Sequence, residues 1–304
     1  MGARDDSTPP QTFTKRLISA IISSMNFILD GRAIAARIRD NVKERVAQMT
    51  TAPGLAVILV GDDPASHLYV SLKRRACEAA GIRFELFSYP ADEPVESILA
   101  KIDELNSRDD VTGILVQLPL PSQDANRVIA RIHPNKDVDG FHKENLRALA
   151  EGRPGIVSAL ALGIVTLIDE TMIGGVPAPR SAAIVGSALF AEPLRYLLAG
   201  RDVFAERVDP DDAELDAKTK TADILIVAVG RPGLITAEHV KPGAIVIDVG
   251  TTRVGSKVVG DVDVNSVEQI AGGRSPVPGG VGPMTVAMLL TNVLKAAELQ
   301  RLEN

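Results

Sequence analysis

The chain has 304 residues, 45% of them apolar and 3% aromatic, with no Trp and a formal net charge of −6. That length holds two domains, and without Trp their cores must pack on Ala, Val, Ile and Leu. The acidic balance argues against nucleic-acid binding, and no apolar run is long enough to span a membrane. A single cysteine, Cys77, excludes an internal disulfide framework and fits a reducing, cytoplasmic setting.

Residues 1–24 read as an extension. Lys15-Arg16 precede a short apolar stretch, Leu17–Ile22, but no small-residue cleavage site follows. Organised sequence begins at Met25. Leu55–Val60 reads as a buried strand, 65–80 as helix, Arg83–Phe87 as strand, 93–105 as helix and Gly113–Gln117 as strand. A break rich in Pro, Asp and Gly covers 119–142. The alternation then resumes with a helix at 162–172, strand Ala182–Val185, a helix at 191–199 and strand Val203–Ala205. Strands Ile224–Val229 and Ala244–Asp248 complete it, and Val286–Lys295 has helical spacing. Buried strands separated by helices predict parallel sheets with helices on both faces, and two such series predict two α/β domains.

Several segments carry chemistry. Val60-Gly-Asp-Asp-Pro-Ala-Ser66 ends a strand, and Tyr69 and Lys73 share one face of the helix that follows. Tyr offers a ring for stacking, and a desolvated Lys can act as acid or base. The same spacing also suits a surface Tyr–Lys pair. Gln117-Leu-Pro-Leu-Pro121 lies just past another buried strand, where an amide can donate and accept at once.

Lys136-Asp-Val-Asp-Gly-Phe-His142 lacks the downstream Glu of a calcium loop. Its carboxylates suit either a guanidine-like ring edge or an Asp–Gly turn. The four His residues show no metal-ligand spacing, and Cys77 reads as a small buried thiol.

Gly186 follows a strand and precedes a helix, as a phosphate loop does, although one glycine of G-x-G-x-x-G is a weak signal. Glu206 lies 20 residues beyond it, where an acid usually meets a ribose hydroxyl. Pro276-Val-Pro-Gly-Gly-Val-Gly-Pro-Met-Thr285 is a stiff loop feeding a helix N-terminus, whose free N–H groups suit an acceptor.

Taken in order, Val60–Ser66 with Tyr69 and Lys73, Gly113–Pro121, Lys136–His142, Ala222–Gly233, Gly243–Gly250 and Pro276–Thr285 resemble the bifunctional methylenetetrahydrofolate dehydrogenase/cyclohydrolase family. The resemblance spans about residues 25–300. It implies an N-terminal α/β folate and catalytic domain (25–143 with a returning helix at 284–304). A C-terminal Rossmann-like, doubly wound parallel-sheet domain (144–283) would bind NADP or NAD. It also implies oxidation of 5,10-methylenetetrahydrofolate to the methenyl cation and hydrolysis of that cation to 10-formyltetrahydrofolate.

By motif match, Lys73 is the acid/base of hydrolysis, Gln117 holds and tunes it, Asp139 grips the pterin edge and Tyr69 stacks on the folate. Pro278, Gly279 and Gly280 border the folate site. Gly186, Ser187, Ala188, Glu206, Gly230 and Thr251 fall at the dinucleotide site. The family is typically homodimeric.

The departures lie on the cofactor side. Ser187-Ala188 stand where the family has Arg-Ser, a later glycine is absent, and the loop before Pro193 is one residue shorter. Ser158–Ala161 replace Pro-Cys-Thr-Pro, and Glu206–Val208 replace Cys-His-Ser. Losing a guanidinium and gaining a carboxylate predicts NADP binding weaker by ~2–4 kcal/mol, which Arg207 offsets in part. Three readings stay open: a bifunctional enzyme with an altered cofactor loop, mainly a cyclohydrolase with a degenerate dinucleotide site, or a folate-binding dimer partner without turnover.

Overall fold

The structure is a computed structural model that describes residues 27–173 and 178–303; the extension read at 1–24 lies outside them. A two-residue strand, β1 (Phe27–Ile28), comes first. The Asp30 carboxylate then accepts from the Arg32 and Ala33 amides and caps α1 (Gly31–Ala47). β2 (Gly54–Val60) is buried at every residue, as a strand covered on both faces must be.

α2 (Pro64–Ala80) starts on an Asp63 cap with proline in its first turn and stops at Gly81, which is left-handed at φ 78°. β3 (Arg83–Tyr89) leads to α3 (Val95–Ser107), which buries Ile98, Ile102 and Leu105 along one face. β4 (Gly113–Val116), α4 (Ala125–Ile129), α5 (Lys143–Ala150) and α6 (Ala159–Ile173) follow. β2 lies between β3 and β4, and all three strands are parallel.

The second series is β5 (Ser181–Gly186), α7 (Ala188–Ala199), β6 (Phe204–Val208), α8 (Leu215–Thr219), β7 (Ile224–Ala228) and β8 (Ile245–Asp248). An antiparallel pair, β9 (Thr252–Val254) and β10 (Lys257–Val259), precedes α9 (Val264–Val267), β11 (Gly273–Arg274) and α10 (Val281–Glu303). Six parallel strands run in the order β1-β11-β8-β7-β5-β6. From β5 the chain steps outward to β6, then returns to β7 on the other side of β5. That reversal makes a topological switch point at the carboxyl ends of β5 and β7. Both sheets are those of the expected two-domain α/β fold.

By backbone contacts, residues 30–167, 192–201 and 281–303 form a first unit. Residues 27–29, 168–173, 178–191 and 202–280 form a second. Residues 144–167, read from sequence with the second domain, thus group with the first.

α10 is bound into the first unit by two side-chain amides. Asn292 Nδ2 donates to the carbonyls of Val138 (2.9 Å) and Val157 (2.8 Å), and Gln300 Nε2 donates to those of Thr112 (2.8 Å) and Asn135 (2.9 Å). The 137–142 segment is packed equally closely. Gly140 has φ 78°, and a Cβ there would lie 2.5 Å from the Ser158 nitrogen. Gly140→Ala is therefore expected to lower stability by about 2–4 kcal/mol, read as a shift of the denaturant midpoint. A loss under about 0.5 kcal/mol would show that this backbone has room to move.

Candidate active site

In the first unit, the carboxyl end of β4 and one face of α2 meet through a single hydrogen bond. Lys73 Nζ donates to Gln117 Oε1 at 3.0 Å, while Gln117 Nε2 donates to the Leu118 carbonyl at 2.6 Å. The amide is thus fixed from the side away from the lysine. The peptide between Leu118 and Pro119 is cis. Tyr69 stands one turn before Lys73 and is 40% exposed, which leaves its ring open to a planar ligand.

The ammonium of Lys73 is held well below the ordinary lysine range, chiefly by loss of hydration, although the nearby Asp139 charge pulls the other way. Asp139 is pushed up by burial and drawn back by Lys73. Its carboxylate accepts no hydrogen bond from any described residue. Its backbone carbonyl accepts from the Ala159 amide at 3.2 Å.

The neighbouring acid behaves differently. Asp137 accepts from the amides of His142 (2.7 Å) and Gly140 (3.3 Å) and from Asn145 Nδ2 (3.2 Å). It builds the turn that presents Asp139. Of the two roles the sequence left open for this segment, the turn is taken by Asp137, and the Asp139 carboxylate is not part of it.

Lys136, also buried, donates to the carbonyls of Leu105 (3.2 Å), Asn106 (2.9 Å) and Arg108 (2.7 Å) and closes the end of α3. Cys77 lies one turn beyond Lys73. Burial pushes its thiol up to about 12, so it is an inert filler. Among the described residues no three His, Cys, Asp or Glu side chains converge as a metal site would require.

In the second unit, Gly186 ends β5. A Cβ there would meet the Phe190 ring at 3.0 Å and the Ala228 carbonyl at 3.1 Å, so a side chain would have to push its neighbours aside by a few tenths of an ångström. Ser187 Oγ accepts from the Phe190 amide at 3.3 Å and caps α7. Ala188 is exposed, and its N–H and that of Leu189 belong to the first turn, where no intrahelical acceptor exists. Free amides beside a glycine at a switch point suit a pyrophosphate.

Among the described residues Glu206 makes no hydrogen bond to this loop. It is exposed on β6, paired with Ala183, and its charge acts on Lys218. Arg207 reaches it instead: Nε donates to the Gly186 carbonyl at 2.8 Å, and the guanidinium pairs with Asp209 at 2.9 Å. Gly230 has φ 74° in the turn after β7, and Thr251 is exposed after β8. Pro278, Gly279 and Gly280 lie in a turn closed by the Gly280 amide on the Pro276 carbonyl at 2.7 Å. Gly279 there has φ 121°, and a Cβ on Gly280 would lie 2.7 Å from Ser275 Cβ.

Sequence reasoning missed three holders of these loops: Asn145, Asn292 and Asp261. Asn292 carried a readable signal, a lone amide in the apolar run Leu289-Leu-Thr-Asn-Val-Leu294. Asp248, buried at the end of β8, accepts from the amides of Gly250 (3.0 Å), Asp261 (3.0 Å) and Val262 (3.1 Å).

Burial pushes both Asp137 and Asp248 up to about 6 from the ordinary 3.8. The folded chain therefore binds their protons more tightly than the unfolded chain does. Their contribution to stability is complete below 3.8 and is lost as the pH rises through about 6. Carbon-13 NMR of the carboxyl carbons should show both titrating near pH 6. Midpoints below 3.8 would contradict the burial argument.

Residues 29–139 match the tetrahydrofolate dehydrogenase/cyclohydrolase catalytic domain, and residues 158–301 match the NAD(P)-binding domain of the same family. The bifunctional protein FolD of Nitratidesulfovibrio vulgaris is 46% identical over 280 residues, covering 88% of this chain and 96% of the relative. That of Methanospirillum hungatei is 46% identical over 272 residues, covering 89% and 97%. Among solved structures, the Campylobacter jejuni bifunctional enzyme FolD superposes with a TM-score of 0.85 at 38% identity, over 90% of this chain and 99% of that one. The Trypanosoma brucei FolD complexed with NADP and an inhibitor superposes at 0.84 and 34% identity, over 91% and 98%. Both halves of the chain and the order of its motifs agree: it belongs to the tetrahydrofolate dehydrogenase/cyclohydrolase family.

Proposed function

We propose that Lys73, Gln117, Asp139 and Tyr69 form the folate side of an enzyme with both family activities. It oxidises 5,10-methylenetetrahydrofolate to the methenyl cation with NAD(P) and hydrolyses that cation to 10-formyltetrahydrofolate, in one-carbon metabolism. The hydrogen bond between Lys73 and Gln117, on a lysine whose charge burial disfavours, carries the reading.

In hydrolysis, a water oxygen bonds to the bridging carbon. The neutral Lys73 amine takes a proton from that water. The bond from carbon to N5 then breaks as Lys73 returns that proton to N5; the remaining hydroxyl proton passes to solvent as the carbonyl forms, and the formyl group stays on N10. Gln117 keeps the amine aimed by offering it an acceptor. Asp139, whose carboxylate accepts no hydrogen bond from a described residue, accepts the N–H groups of the pterin edge, and Tyr69 covers the ring. By motif match, Pro278, Gly279 and Gly280 form a substrate-binding turn.

The dinucleotide, when bound, takes up the hydride. Gly186 and the first amides of α7 fit its pyrophosphate, with Gly230 and Thr251 at neighbouring strand ends. Arg207 supplies the guanidinium that Ser187 lacks, which favours the 2′-phosphate of NADP over NAD. The homodimer implied by the family and a cytoplasmic setting belong to this same reading. Buried Cys77, the only cysteine, supports the latter, and among the described residues no helix is long and apolar enough to cross a membrane.

A paired assay on the purified protein tests the whole. One arm follows methylenetetrahydrofolate oxidation with NADP and with NAD, and the other follows hydrolysis of supplied methenyltetrahydrofolate without nucleotide. Hydrolysis alone would favour a cyclohydrolase with a degenerate dinucleotide site, and silence in both arms a folate-binding protein. Lys73→Met is expected to slow hydrolysis ~10²- to 10⁴-fold while folate still binds by titration; an unchanged rate removes Lys73 from the step. Arg207→Ala is expected to weaken NADP about 10- to 100-fold and leave NAD nearly unchanged, read by fluorescence titration. Equal losses for both would mean that Arg207 only supports the loop.

A further inference from the structure

One carboxylate in the second unit touches none of the residues assigned above except the turn at Gly230. Asp261 is fully buried, and its Oδ2 accepts from the amides of both Val229 (2.6 Å) and Gly230 (3.0 Å). Its Oδ1 is buried without a hydrogen-bond partner. A Cβ on Gly250 would lie 2.5 Å from that oxygen, so the Gly250 backbone closes over it.

Asp261 is itself held from behind. Its own amide donates to Asp248 Oδ1, and the Asp248 amide donates to Ser275 Oγ at 2.8 Å. Gly260 sits directly against the Asp248 carboxylate, leaving no room for a side chain. A rigid path therefore runs from β8 through Asp248 and Asp261 to the first two residues beyond β7. That turn is one wall of the crevice at the switch point, because Ala228 is the register partner of Gly186.

A buried carboxylate is a costly way to hold two amides, since taking its charge out of water opposes folding. A backbone carbonyl or a serine would serve an ordinary turn. What the carboxylate adds is a short, charge-assisted grip on two successive N–H groups, which leaves the turn a single conformation.

We propose that Asp261 is a positioning residue for the dinucleotide site, acting through the Val229–Gly230 turn. The proposal rests on the reading above that this turn faces the dinucleotide. Asp261 touches neither nucleotide nor folate; it fixes the wall against which the nucleotide is seated.

Because both activities reside on one chain, hydrolysis without nucleotide serves as an internal control. Asp261→Ala is expected to raise the dinucleotide KM of the dehydrogenase ~10- to 100-fold, with a smaller fall in kcat. Hydrolysis of supplied methenyltetrahydrofolate should stay within about twofold, since it uses none of this wall. Asp261→Asn retains an oxygen that can accept both amides and should recover much of the affinity.

Amide hydrogen exchange at Val229 and Gly230 separates the possible failures. If exchange stays slow in Asp261→Ala, the grip is not what orders the turn. If exchange becomes fast while KM stays put, the turn does not face the dinucleotide. Parallel loss of both activities, unrelieved in Asp261→Asn, would make Asp261 a general stability residue and overturn the proposal.

Discussion

The proposed chemistry depends on an amine kept short of water beside a carboxylate that accepts no hydrogen bond from a described residue. Two lysines of the first unit are drawn out of solvent, and the contrast between them is instructive. Lys136 donates to three carbonyls, and its charge is spent on closing a helix. Lys73 donates to one amide oxygen among the described residues, so burial is not matched by hydrogen bonds and the neutral amine is within reach. Asp139 resists this by favouring the ammonium. A cationic substrate arriving between the two reverses the balance: it neutralises the pull of Asp139 and adds a like charge next to Lys73. On this reading the substrate creates the base that its own hydrolysis requires.

The aspartates show how one side chain is put to unlike uses. Asp63 caps a helix, Asp137 folds a turn and Asp248 ties three amides at a strand end. Asp261 grips two more. Each commits at least one carboxylate oxygen to backbone N–H groups, which is scaffolding. Asp139 alone of this set leaves its carboxylate uncommitted. A half-buried carboxylate without a hydrogen-bond partner suits a ligand, and on the proposed reading that is the place of Asp139.

Much of this was legible in the sequence. The apolar runs at Leu55–Val60 and Ala182–Val185 could only be buried strands, and their alternation with helices fixed the parallel sheets. Tyr69 and Lys73 declared a shared face by spacing alone. The partnership of Lys73 with Gln117, separated by 44 residues, came only from the family resemblance, because no local rule joins positions so far apart. α1, α5 and the β9–β10 pair escaped the periodicity reading, being polar, short or solvent-facing. The cofactor loop was hardest. Glu206 and Arg207 are adjacent in sequence, and pleating sends them to opposite faces, so which one met Gly186 was decided by strand register.

The interleaving of the chain has its own consequence for biosynthesis. The first unit is not complete until α10 has been made, since Asn292 and Gln300 tie carbonyls at 112, 135, 138 and 157. Those carbonyls emerge from the ribosome long before their donors. The segment bearing Lys73, Gln117 and Asp139 therefore waits, unclosed, while the whole second unit is translated. On the proposed reading, catalytic competence is the last thing synthesis delivers: a prematurely terminated product would carry Lys73, Gln117 and Asp139 yet lack the helix that holds their loops in place.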